Sequence, residues 1–440
     1  MKGKSVEVAT SPLKVDSSPG AMPVATEAGV FLPGNSVPDT QLSHWQRIRF
    51  VLVLGALTAL GPFTVALYLP ALPTITDEFG VSETAVQFTL AGTLAGLAFG
   101  QLVIGPLSDI YGRRSPIIAG TILHIGASSL CFFANTMAML GILRLLQGFG
   151  AAATGVVALA VVRDLFRGHA AAVMISHLML VIGLAPILAP SAGGFLMTLV
   201  PWRGMFIVLA AFGIVALALG VWAMPETLPR DLRRPPGIRN VMRTYSTLIR
   251  DQAFMLLTVA GGLIRVVQWS YIAGSSFIVQ IHFGLDGLAY GLAFGSGAVA
   301  LLIGSQANIA LLTRWTPGQI SLSALCVTTL GGIVLLALAI TETGGFLGFQ
   351  IPVIAILTAI GLVNPNVPAI AMTGHGESAG GAAALLGFGQ FLAAAAAAPL
   401  VAVLGNDSVA VAAVMTLASA AAFVSLQTAK RASQRSIRRE

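Results

Sequence analysis

Two arginines in this 440-residue chain stand inside long apolar runs, where a charge is costly. Arg144 lies in GILRLLQGFGAAATG, beside Gln147, Gly148 and Gly150; Arg265 lies in GGLIRVVQWSYIAGSS, beside Gln268, Trp269 and Tyr271. A guanidinium at the centre of a lipid-embedded helix costs about 2.5–3.5 kcal/mol on insertion scales, so it is a functional candidate by default. The plainer alternative for each is pairing with backbone carbonyls or reaching to an interface. The acids show the opposite pattern. All 17 Asp and Glu fall in tails, loops or span ends, leaving no embedded carboxylate to load and release protons. His124 and His177 lie inside apolar runs and belong to the side-chain type that titrates near neutrality; each also reads as a hydrogen-bonded structural histidine.

Two further patterns concern backbone shape. In GPLSDIYGRRSP, residues 105–116, Gly105 and Gly112 permit tight turns and Pro116 suits the first turn of a helix. Asp109 there can accept from orphan amides at a helix N-terminus, and Arg113 and Arg114 can anchor at anionic headgroups. In GLAPILAPSAGG, Pro186 and Pro190 stand four apart and are followed by Gly193 and Gly194. The prolines remove backbone hydrogen bonds and the glycines allow close contact, which suits either a joint between moving parts or a static kink. Cys131 and Cys326 sit far apart in apolar runs and read as small core residues. No metal-ligand or cofactor motif is apparent.

The elements that carry these residues follow from composition. Hydrophobic residues make up 56% of the chain and charged ones 9%, which excludes an ordinary soluble domain. A helix needs about 20 apolar residues to cross roughly 30 Å of hydrocarbon. Such runs fall at 49–72, 84–105, 116–134, 137–161, 170–200, 203–223, 253–276, 288–312, 317–340, 347–372, 379–404 and 407–428. They predict an all-α integral membrane protein with twelve spans, and Gly376 to Gly381 must form a tight turn between the tenth and eleventh. Residues 1–45 read as a disordered tail, 46–225 as one six-helix bundle, 226–252 as a charged linker, 253–428 as a second bundle and 429–440 as a basic tail. With both termini on one side, 21 of the 24 Lys and Arg fall on that side, which the positive-inside rule makes cytoplasmic. The basic excess therefore reports orientation in a cell membrane, with attraction to anionic lipid, and not nucleic-acid binding.

Taken together, these segments resemble the major facilitator superfamily, and within it the drug exporters of the Bcr/CflA type. GPLSDIYGRRSP matches the superfamily's loop between spans two and three, LRLLQGFGAAA its span-four motif, and APILAPSAGG the exporters' span-five motif. YLPALP at 68–73, AVVRDLF at 160–166 and AAALLGFGQF at 382–391 also look like the Bcr/CflA pattern. The resemblance covers residues 50 to 428 and implies two six-helix bundles, alternating access and exchange of substrate for protons. It implies that Asp109 and Arg113 help lock the outward-open state and that Arg144 supports coupling. One departure stands out: the family's usual span-one Asp is replaced here by Ala66.

The resulting expectation is a monomeric secondary transporter that exports drugs or small amphipathic metabolites in exchange for protons. Phe63, Tyr68, Arg265, Gln268, Trp269, Tyr271 and Asn366 are expected to line its substrate cavity. Two intramembrane cations without an acid keep a second reading open, uptake or exchange of an organic anion. No HExxH motif or complete P-loop supports a metalloprotease or an ATP-driven pump.

Overall fold

The protein is described from a computed structural model, which covers residues 44–166, 168–233, 238–373, 375 and 378–437. The tail at 1–43, Pro186's side chain and most of the turn around Gly376 lie outside the described residues. The elements are all helical: α1 His44–Ala66, α2 Leu72–Phe79, α3 Glu83–Tyr111, α4 Arg114–Phe132, α5 Met137–Leu165, α6 Gly168–Met197 and α7 Trp202–Ala223 precede the linker. The linker contains α8, Ile238–Arg250. After it come α9 Gln252–Phe277, α10 Gly287–Leu311, α11 Pro317–Ile340, α12 Gly345–Val363, α13 Asn366–Met372, α14 Ala379–Val403 and α15 Ser408–Ile437. In lipid every backbone amide must find an internal partner, which is why apolar stretches of this length become helices.

Eleven segments among the described residues are long and apolar enough to cross a membrane. The remaining span is the 30-residue α6, which runs unbroken through Pro186 and Pro190. Two spans are broken into two pieces each, and a third, the seventh, continues past α9 through a π-helical turn at Ile278–His282. The first passes from α1 through a 3-10 turn at Leu69–Ala71 into α2, so the span runs Arg49–Phe79, beyond the expected 72. The tenth breaks between α12 and α13 at Asn364 and Pro365. Proline explains both breaks, since it offers no amide to the carbonyl four residues back. The linker differs from a plain charged loop in forming α8, and α15 carries the basic tail on as helix to Ile437. Helix starts are marked by side-chain caps: Ser82, Thr136, Asp251, Asp286 and Thr316 each accept from the backbone amide three residues on.

The same pairings recur in α1–α7 and in α9–α15. In the first set α3 packs on α5, α4 on α5 and α7, and α1 on α6 and α7. In the second, α10 packs on α12, α11 on α12 and α15, and α9 on α14 and α15. Glycine makes the close crossings possible: a Cβ at Gly96 or Gly148 would strike the α5 or α3 backbone, and one at Gly304 or Gly361 the α12 or α10 backbone. Between the sets, α3 meets α14 and α6 meets α10. The end carrying Arg113, Arg114 and α8 is called the basic end below, and the other the far end.

Candidate functional site

The two halves fasten to each other at the far end. Gln87 of α3, fully buried, donates to the Ala273 carbonyl at 2.8 Å, and Asn406 donates to Glu83 at 2.5 Å. Ser276 donates to the Leu69 carbonyl at 2.8 Å, Gln280 to the Pro70 carbonyl at 3.2 Å, and Ser191 to the Gly291 carbonyl at 3.1 Å. Pro73 has no amide, so the Leu69 carbonyl lacks a donor four residues on; it accepts from the Leu72 amide in the 3-10 turn and has a second lone pair for Ser276. Gly194 sits against the Gly287 carbonyl and Gly193 against that of Leu67, so both are close-packing positions, Gly194 at the seam. Pro190 is buried beside them. Among the described residues, no hydrogen bond joins α1–α7 to α9–α15 at the basic end.

Arg144 lies beneath this seal, inside the first bundle, with no solvent exposure. Its Nη1 donates to the Thr64 carbonyl at 2.9 Å and to Gln147 Oε1 at 2.5 Å. The Thr64 oxygen is available because α1 ends at Ala66, two residues later. The guanidinium carbon stands 3.9 Å from the Tyr68 ring centroid and 5.7 Å from that of Phe206, a cation–π arrangement suited to a dry site. Tyr68 is held by a 3.1 Å hydrogen bond between its hydroxyl and that of Thr89. Gln147 donates to Ser128, and Ser128 and His124 complete a buried polar chain between α4 and α5. Among the described residues no carboxylate touches Arg144, and its Nε and Nη2 find no acceptor. A buried charge with spare donors is poised to gain a partner when its surroundings change.

Arg265 differs. It is half-buried on α9, donating from Nη1 to Gln268 Oε1 at 2.9 Å and from Nε to Gln390 Oε1 of α14 at 3.2 Å. Trp269 and Phe63 are also half-buried, and Phe63 meets Phe212 edge-on at 5.5 Å. The structure therefore groups Arg265, Gln268 and Gln390, the last not anticipated from sequence. Tyr271 instead stacks in the second bundle on Phe294 at 5.8 Å, and Asn366 exchanges hydrogen bonds with Asn308 of α10 at 2.8 and 3.3 Å. Both are buried in this conformation.

At the basic end an ionic cage joins three helices of the first bundle. Arg113 donates to Asp109 at 2.6 Å, to Ser108 at 2.8 Å and to Asp164, at the end of α5, at 2.8 Å. Burial alone lowers the Arg113 pKa; hydrogen bonds to Asp164 and Asp109 outweigh it, and the net direction is upward. Glu226, just past α7, accepts from the backbone amides of Arg113 and Arg114, placing a carboxylate at the start of α4 where the helix dipole favours it. Gly112 allows this approach: its φ is +88°, and a Cβ there would collide with Glu226. Sequence reading found Asp109 and Arg113 but missed Asp164 and Glu226. A signal existed, because an acid in the last turn of a helix opposes the dipole and needs a cation.

The comparisons with known proteins agree with this architecture. The family model described as Major Facilitator Superfamily matches residues 54–399. The chain is 31% identical over 372 residues to an uncharacterized MFS-type transporter, YdgK, of Bacillus subtilis, covering 84% of this chain and 92% of that one. It is 30% identical over 265 residues to a bicyclomycin resistance protein homolog of Haemophilus influenzae, covering 60% and 67%. Among solved structures, a partially occluded inward-open xylose transporter XylE from E. coli superposes with a TM-score of 0.68 at 13% identity, covering 86% and 97%. The chain belongs to the major facilitator superfamily: it is a multi-pass membrane protein of the transporter class with the twelve-helix fold. The resistance-named relative agrees with the Bcr/CflA-type resemblance drawn from the motifs.

Proposed function

We propose that this protein exports drugs or small amphipathic metabolites across the cell membrane by alternating access, in exchange for protons. The observation that carries this reading is the one-sided fastening of the halves. Hydrogen bonds between the bundles sit at the far end, while the basic end is joined through apolar packing such as Phe99 against Phe388 and through the linker helix. With the basic end cytoplasmic, this is a carrier sealed outside, awaiting substrate from within. Resistance-named relatives favour export over anion uptake. Arg265, Gln268 and Gln390 offer polar contacts for substrate, with Trp269 and Phe63 as apolar ones. One chain carries both halves of the route, so a monomer suffices.

An enzyme is not the reading we adopt. The run at 376–380 spells G-x-S-x-G, yet Ser378 stands at the start of a membrane helix, α14, and the described residues include no strand of the kind a nucleophile elbow needs.

Purified protein in liposomes with an imposed pH gradient tests the proposal across a panel of cationic, neutral and anionic drugs. Gradient-driven movement of cationic or neutral compounds is expected. Exchange confined to organic anions, indifferent to the gradient, would discard proton-coupled drug export.

A further inference from the structure

Helix α8 has three strips, each at helical spacing. Val241, Tyr245 and Leu248 face the protein: Tyr245 and Leu248 are 8% and 2% exposed. The Tyr245 hydroxyl donates to the Leu102 carbonyl of α3 at 3.0 Å. Gly381 of α14 lies against Thr244, Tyr245 and Leu248. Next around the helix come Met242 and Ile249, seven apart, which remain 55% and 53% exposed. Beyond them run Arg239, Arg243 and Arg250, also exposed. Helix α8 contains no acidic residue, and none of the three guanidiniums has a carboxylate partner among the described residues. The adjacent Asp251 is engaged elsewhere, capping α9 and meeting His375.

An exposed apolar strip bordered by an arginine strip is the pattern of a helix lying in a membrane interface, apolar side toward the acyl chains and cations at the phosphates. Helix α8 occurs at the basic end, the level at which such an interface lies. We infer that α8 is a binding surface for anionic phospholipid headgroups of the membrane the protein spans, with Arg239, Arg243 and Arg250 as the headgroup contacts. Charge complementarity selects the occupant: three unpaired guanidiniums attract phosphatidylglycerol-type lipids over zwitterionic ones. Because α8 touches both α3 and α14, lipid held there acts on the seam between the halves. This is independent of which substrate is carried.

Full-length protein in nanodiscs provides the test. Retention of phosphatidylglycerol against phosphatidylcholine is read by native mass spectrometry, and a fluorophore on Met242→Cys, in a Cys326→Ser background, reports depth by quenching from spin-labelled lipid. Wild type is expected to retain phosphatidylglycerol selectively, with the probe quenched. Arg243→Gln alone, which leaves the other linker arginines to hold orientation, should weaken retention about fivefold, and the triple Arg239→Gln, Arg243→Gln, Arg250→Gln variant on the order of a hundredfold. Unchanged selectivity in both variants, or a probe reached only by aqueous quenchers, would overturn the assignment.

Discussion

At the far end the bundles meet through neutral donors and main-chain oxygens, from Gln87 to Ala273, Ser276 to Leu69 and Gln280 to Pro70, with Glu83 the one carboxylate among the described residues. At the basic end Arg113, Asp109, Asp164 and Glu226 form charged bonds that, among the described residues, tie the first bundle to itself and to its linker. A neutral hydrogen bond contributes about 0.5–1.5 kcal/mol net, one to a charged group about 1.5–3 kcal/mol. The contrast teaches a division of labour. Strong bonds keep a bundle rigid, and weak ones let bundles part for a few kcal/mol, the size of gap that ligands can shift. Arg144 sits between these regimes, strongly charged and incompletely bonded.

The sharpest way to break this picture is at Arg144. Arg144→Ala should insert and express normally yet bring transport to background, since the spare donors of the buried guanidinium are lost. Flux equal to wild type in liposomes removes Arg144 from the mechanism. Next in size is the cage: Arg113→Ala should lower unfolding stability in detergent by about 2 kcal/mol, less than for a fully buried pair because Asp109 and Asp164 are partly exposed. A loss below about 0.5 kcal/mol would mean the cage behaves as a surface pair. At the far end, Gln87→Leu should cost the seal about 1 kcal/mol and enrich the outward-open form roughly fivefold. Spin-label distances between Phe133 and Leu404, exposed on opposite halves, measure it, and an unaltered distribution argues against the seal. The smallest effect is expected of Ala66→Asp, which should strengthen the dependence of flux on pH. An unmoved profile shows that this position does not govern coupling.

Much of this architecture was legible in the sequence because lipid imposes simple rules. Run length gave the spans, and the distribution of arginine gave the basic end. Arg144 announced itself by its cost. The shared pairing of the two halves was not legible, since contacts such as α3 on α5 and α10 on α12 depend on where small residues permit approach. The far-end seal was hidden for another reason: most of its acceptors are carbonyls, and every residue has one. Helix α8 was obscured by its arginines and neighbouring prolines, which mimic a solvated loop. Asn366 and Tyr271 look available in a linear string, yet the fold turns both inward.

The broken first span has an outcome for mutational study. Oxygens at Leu69 and Pro70 receive Ser276 and Gln280 whatever side chains those two positions carry. An alanine scan of this turn would therefore report the loss of buried side chains such as Leu69 and leave the fastener itself in place. Restoring the missing amide at Pro73 would instead set a competing donor from the same helix against Ser276 at the Leu69 oxygen, which already accepts from the Leu72 amide.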